Sequence, residues 1–150
     1  MKILSLFLPA VLCVVLTGCE AGPKSEKGFT LPDGDAAQGQ ETFVALNCHH
    51  CHTVSGVELP ELTEPARTVV HLGGEVTRIR TYGELVTSII NPSHKLAPGY
   101  KPEDVSEQGV SKMTNYNGVM TVEQLINLVA FLQAHYRLRP YEPTNYPMYL

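Results

Sequence analysis

Apolar residues repeat at helical spacing most clearly near the C-terminus, where Leu125, Leu128, Val129, Leu132 and Tyr136 fall on one stripe with Phe131 beside it. Thr121-Val122-Glu123-Gln124 before that stripe fits a capping box with Gln124 in the N3 place. Arg137 and Arg139 suit the negative end of a helix dipole, and Pro140 cannot continue a helix. The pattern therefore predicts a helix from Thr121 to about Arg139. A second helix is expected from Asp35, near its N-cap, to about Leu46. Gly39 and Phe43 on it would allow a close crossing with the last helix. A third, Tyr82–Ile90, is stopped by Asn91-Pro92. Between them, Val69–Leu72 and Glu75–Ile79 read as short strands around Gly73-Gly74, the signature of a small β-hairpin.

Polar and apolar patterning also divides the chain. Lys2 and the apolar run Ile3–Leu16 form a signal-like segment too short for a stable bilayer span. Residues Glu20–Gly34 are polar with Pro and Gly punctuation and read as a tether, with a reach of about 20 Å for fifteen flexible residues. The expected organisation is a signal at 1–18, a tether at 19–34, one folded domain at 35–139 and a Pro/Tyr-rich tail at 140–150. Tyr141, Tyr146, Met148 and Tyr149 of that tail are expected to pack on the body, with a docking strip as the alternative. Leu16-Thr17-Gly18-Cys19 resembles the lipobox of bacterial lipoproteins, which implies cleavage before Cys19 and lipidation of its thiol; Cys13 would leave with the signal. The alternative is an ordinary secretory signal with Cys19 incidental.

Charge narrows the partners. The chain carries eleven Lys+Arg against fifteen Asp+Glu, and removal of Lys2 takes the net charge from −4 to about −5. That argues against nucleic acid as a partner and against adhesion to an anionic surface through basic patches. It permits a basic partner face.

The chemistry lies in Cys48-His49-His50-Cys51-His52. Cys-x-x-Cys-His is the attachment site of c-type haem. Two thiols in one turn can each add to a vinyl group of a single macrocycle, and the histidine that follows ligates the iron. A thiol–disulfide centre shares the Cys-x-x-Cys spacing, but the strand–helix alternation of a thioredoxin-like module is missing here. A structural zinc site would need a second ligand pair, and no second Cys/His pair exists at partner spacing.

With these features in hand, residues 35–137 resemble the class I cytochromes c: Gly39 and Phe43, the haem pentapeptide, a downstream methionine loop, and a final helix reading Leu-Val-Ala-Phe-Leu at 128–132. The resemblance implies an all-α fold around one covalent haem c, to which this chain adds the β-hairpin. It implies a sixth iron ligand from a methionine shortly before the last helix. Met113 is the expected ligand and Met120 an expected core residue; Thr114 stands where the family usually has proline. His71, His94 and His135 are rival ligands, His94 the foremost. The family orients its proximal histidine on a proline carbonyl, for which Pro60 and Pro65 are both candidates.

The order of elements from Val69 to the methionine loop is also similar to the haem c domain fused to subunit II of some bacterial haem–copper oxidases, with Ser88-Ile89-Ile90-Asn91-Pro92 and Gly99-Tyr100 in matching places. The membrane helices and copper domain of that subunit are absent from this sequence, and Lys101–Lys112 is longer. The implied function is one-electron transfer, without enzymatic activity, between a respiratory donor and a terminal acceptor outside the cytoplasmic membrane, on its periplasmic side. The alternative is a haem enzyme or a gas- or peroxide-binding protein with an open sixth position.

Overall fold

The computed structural model describes residues 28–64 and 66–141; the signal segment, Cys13, Cys19, Pro65, Tyr146, Met148 and Tyr149 lie outside them. The body belongs to a compact unit that begins at Leu31. Its elements in order are α1 (Ala36–Ala45), a 3-10 turn (Cys48–His50), β1 (His52–Val54), β2 (Val70–Leu72), β3 (Gly74–Val76), α2 (Tyr82–Ile90), a second 3-10 turn (Pro92–His94), the single-turn α3 (Pro102–Val105), β4 (Ser106–Glu107), β5 (Val110–Ser111), α4 (Val122–Ala134) and β6 (Tyr136–Leu138).

Local chemistry accounts for the helix starts. Asp35 caps α1, its carboxylate accepting from the amides of Ala37 at 2.8 Å and Gln38 at 3.1 Å. Thr121 and Gln124 form the expected capping box on α4, with reciprocal bonds of 2.9 and 3.1 Å. A second box, Thr81 with Glu84, starts α2.

Helices α1 and α4 cross closely because Gly39 has no side chain. A Cβ built there would lie 2.6 Å from the Cβ of Phe131 and closer still to the carbonyl of Asn127. Phe43 and Phe131 meet beside the crossing, their ring centroids 5.7 Å apart and tilted by 60°. With Leu128, Val129 and Leu132 they build the core, to which α2 adds Leu85, Val86 and Ile89, and β1 adds Val54. Asn127 is buried at this crossing. Its Oδ1 accepts from the Asp35 amide at 2.8 Å, and its Nδ2 donates to Gln38 Oε1 at 3.3 Å. One side chain thus satisfies two polar groups of α1 within an apolar interface.

Three expectations are corrected. Tyr141 does not pack on the body; it is exposed at the end of the described residues. The hairpin over 69–79 does not form. Strand β2 pairs parallel with β1, and β3 pairs parallel with β6. Gly73 and Gly74 both have positive φ, +78° and +82°, but they carry the chain from one strand pair to the other. They do so against the end of α4, where the Gly74 amide donates to the His135 carbonyl at 2.9 Å. A Cβ at Gly73 would lie 3.0 Å from that same oxygen. The hairpin lies instead at β4–β5, which pair antiparallel through Gln108-Gly109 at φ +51° and +81°, the double positive φ of a type I′ turn.

The last helix is also shorter than its pattern. It ends at Ala134 with His135 as C-cap, and residues 136–138 leave as β6. Tyr136 still packs on the core, from a strand. Arg137 and Arg139 are not helical; the Arg139 amide bonds the Val76 carbonyl, and its guanidinium lies 3.6 Å from Glu75. Pairing with β3 competed with a last helical turn and won.

Candidate functional site

The haem motif follows α1 without a connecting loop. Leu46 caps the helix, Asn47 turns the chain at φ +56°, and Cys48–His50 continues as a single 3-10 turn. The Cys51 amide closes that turn on the Cys48 carbonyl at 3.2 Å, so both thiols leave one short turn. Cys48 is half-buried and Cys51 exposed, and both are free thiols. Burial pushes the Cys48 thiol up to about 11, ahead of a backbone hydrogen bond that lowers it. A dithiol catalyst needs its first thiol lowered to be a thiolate at neutral pH. Cys48 is shifted the opposite way, which counts against thiol-redox chemistry.

His52 begins β1 directly after the turn. Its ring Nδ1 lies 3.3 Å from the carbonyl oxygen of Val70. A carbonyl only accepts, so Nδ1 carries the proton, and Nε2 is left as the basic nitrogen available to iron. Burial holds the His52 pKa below its ordinary value, partly offset by the Val70 bond, which favours the neutral imidazole a metal needs.

Among the described residues the acceptor on this side is Val70, where Pro60 and Pro65 were the expected candidates; Pro65 lies outside them. Pro60 is exposed. The register explains the change: His52 is directly paired with Val70 in the parallel ladder, and the Val70 amide bonds the Cys51 carbonyl at 2.8 Å. No spacing rule points to Val70. Only the β1–β2 pairing brings it there.

The methionine loop follows β5. Met113 is half-buried, and its amide donates to Ser111 Oγ at 3.2 Å. Met120 is half-buried against the hydrophobic core, as expected of it. The loop is fastened on two sides. On one, Ser111 donates to Ser93 Oγ at 3.0 Å and Asn117 to the Ile90 carbonyl at 2.8 Å. On the other, the Tyr116 hydroxyl donates to the Leu46 carbonyl at 2.6 Å.

The three rival histidines have local engagements. His71 Nδ1 lies 2.6 Å from Thr53 Oγ1, and His94 Nδ1 lies 2.9 Å from the carbonyl of Asn91 in its own turn. His135 stacks edge-on against Phe131 with centroids 5.0 Å apart.

These residues fit covalent haem. Two thiols share one turn, and the next histidine is oriented with Nε2 available. The buried Nδ1 of His49, without a hydrogen-bond partner among the described residues, lies inside the same motif. A polar atom is thus covered at this place with its hydrogen-bonding capacity unused. No group of three or more metal-binding His, Cys, Asp or Glu side chains occurs among the described residues, so the zinc alternative has no support there. No described helix is long and apolar enough to cross a membrane.

One comparison with known proteins agrees with the geometry. No curated protein and no solved structure matches the chain. The family model described as "Cytochrome c" matches residues 36–135, from the first residue of α1 to the C-cap of α4. Cys48 and Cys51 within it have the spacing for covalent haem c. The chain belongs to the cytochrome c family, whose members carry covalent haem c and typically transfer electrons.

Proposed function

We propose that this protein is a lipid-tethered, monohaem class I cytochrome c with His52 and Met113 as iron ligands. It moves single electrons between a respiratory donor and a terminal acceptor on the periplasmic side of the cytoplasmic membrane. When bound, the haem supplies the one-electron Fe(II)/Fe(III) couple. Cys48 and Cys51 hold it covalently, and the Val70 carbonyl sets the plane and tautomer of His52. A thioether is soft and neutral, so Met113 favours ferrous iron, raises the potential and fills the sixth position.

The observation that carries this reading is the difference between the two methionines. Met120 is committed to the core. Met113 lies in a loop fastened through Ser93 on one side and through Leu46, two residues before Cys48, on the other. A ligand placed between two such attachments keeps its position in both oxidation states, as an electron carrier requires. The similarity to the oxidase subunit II domain loses its hairpin, since β2 and β3 do not pair. It keeps the Ser88–Pro92 helix end and the Gly99-Tyr100 pair. It supports electron delivery to a terminal acceptor and no claim to be an oxidase subunit.

Optical spectra of the haem-loaded protein test the proposal. The wild type and Met120→Ala are expected to be low-spin, with the near-infrared sulfur-to-iron band. Met113→Ala is expected to lose that band and bind exogenous ligands. Loss of the band in Met120→Ala alone would move the ligand to Met120. A high-spin wild type would sink the carrier reading in favour of a haem enzyme or gas-binding protein. Membrane attachment is tested separately: Cys19→Ser is expected to leave the membrane fraction and become soluble after export.

A further inference from the structure

Tyr116 stands three residues after Met113, and it is used twice. Its main-chain carbonyl accepts from the amides of Val119 at 3.0 Å and Met120 at 2.9 Å, closing the turn that leads into α4. Its side chain crosses to the other side of the site, where the hydroxyl donates to Leu46 at 2.6 Å. The Leu46 carbonyl is at the C-cap of α1, among the acceptors that a helix end leaves unpaired. Burial, ahead of any charge effect, pushes the Tyr116 phenol up from its ordinary pKa, so it is a protonated donor at neutral pH. The Ser111 and Asn117 bonds fasten the loop to α2 and the turn after it. The Tyr116 bond fastens it to the segment entering the haem motif.

Resting on the ligation proposed above, we infer that Tyr116 is a positioning residue: its hydroxyl latches the methionine loop to Leu46 and so keeps Met113 on the iron. Without the hydroxyl, the main-chain turn at Tyr116 still forms but opens more often, because the loop is fastened on one side only. Met113 then leaves the iron more often, and the sixth position opens to small ligands. The same bond separates a closed electron carrier from a ligand-binding haem protein.

The experiment compares haem-loaded wild type, Tyr116→Phe and Asp35→Ala for imidazole binding to the ferric form. The Asp35 variant removes the α1 cap and serves as a destabilised control away from the loop. Imidazole is expected to bind Tyr116→Phe about tenfold faster, the weight of one net hydrogen bond, and the control within about twofold of wild type on the same scale. Amide exchange at Val119 and Met120 should rise in Tyr116→Phe and not in the control. If the wild type shows the sulfur-to-iron band while both variants bind imidazole at the wild-type rate, the latch is overturned and the ligation stands. If both variants accelerate equally, Tyr116 acts only through global stability, and the latch is again overturned. A wild type without the band removes the ligation and the latch together.

Discussion

The α1–α4 crossing and the segments that carry and flank the haem motif are built on different terms. The crossing is made of two long elements, each started by its own cap, joined by Gly39, a tilted phenylalanine pair and a buried asparagine that makes two hydrogen bonds. The remainder is made of three-residue strands in parallel pairs, the 3-10 turn of the haem motif and a loop held by single side-chain bonds. Strands this short have no independent stability. The crossing is a scaffold that stands on its own packing, whereas the short strands around the motif lean on that scaffold through Val54, Leu72 and the His135 carbonyl.

The largest test of this contrast is at Gly39. Gly39→Val requires a branched side chain where even one Cβ meets Phe131 and the Asn127 carbonyl. Separation of the helices is expected to cost about 3 kcal/mol or more, read as a fall in the urea midpoint with loss of haem incorporation. A variant that folds and loads normally would show that the crossing is not the foundation. Asn127→Ala is next. It leaves the Asp35 amide and the Gln38 side chain without their partner, at about 2 kcal/mol. Its α1 amides should exchange faster even with haem in place.

Legibility in the sequence follows the same division. The crossing was readable because each part has a local signature: Asp35 before a helical run, Thr121 with Gln124, and apolar residues on one stripe. The haem attachment was readable because its chemistry needs five adjacent residues. The Val70 carbonyl was not, because it comes from main chain eighteen residues away in a register set only by β1–β2 pairing. The hairpin misreading has the same origin. Gly-Gly between β-prone runs has turn chemistry, and it does turn the chain, but partners already available in β1 and β6 took the two strands. Those partners also ended α4 one turn early. Asn127 was missed because it lies off that stripe, one turn before Phe131, on a face whose burial shows only once the crossing helix is known.

Gly73 tests the short strands alone. A side chain there faces both φ +78° and the His135 carbonyl at 3.0 Å, so Gly73→Ala is expected to cost about 1–2 kcal/mol. The loss should concentrate in β2 and β3, measured as faster exchange of the Val70 and Gly74 amides, while α1 and α4 amides keep their protection. Equal loss in both regions would mean that the two are one cooperative unit, and the contrast would fail.

The smallest effect is electrostatic and touches neither region's packing. Glu84 caps α2 through the Thr81 amide and lies 2.8 Å from Arg78. Burial raises its carboxyl pKa; the backbone bond to Thr81 and the charges of Arg78 and Arg80 outweigh this and leave it below the ordinary value. A carboxylate depressed in the folded state adds stability above its unfolded pKa, and that contribution is lost as pH falls through the folded value. Glu84→Gln keeps an acceptor for the cap but loses the charge. At neutral pH it should be less stable than wild type by no more than about 0.5 kcal/mol, the scale of an exposed ion pair. The gap should shrink with added salt and close as pH drops below the carboxylate range, with the sulfur-to-iron band unchanged throughout. A gap that persists in acid would assign the role of Glu84 to cap geometry instead of charge.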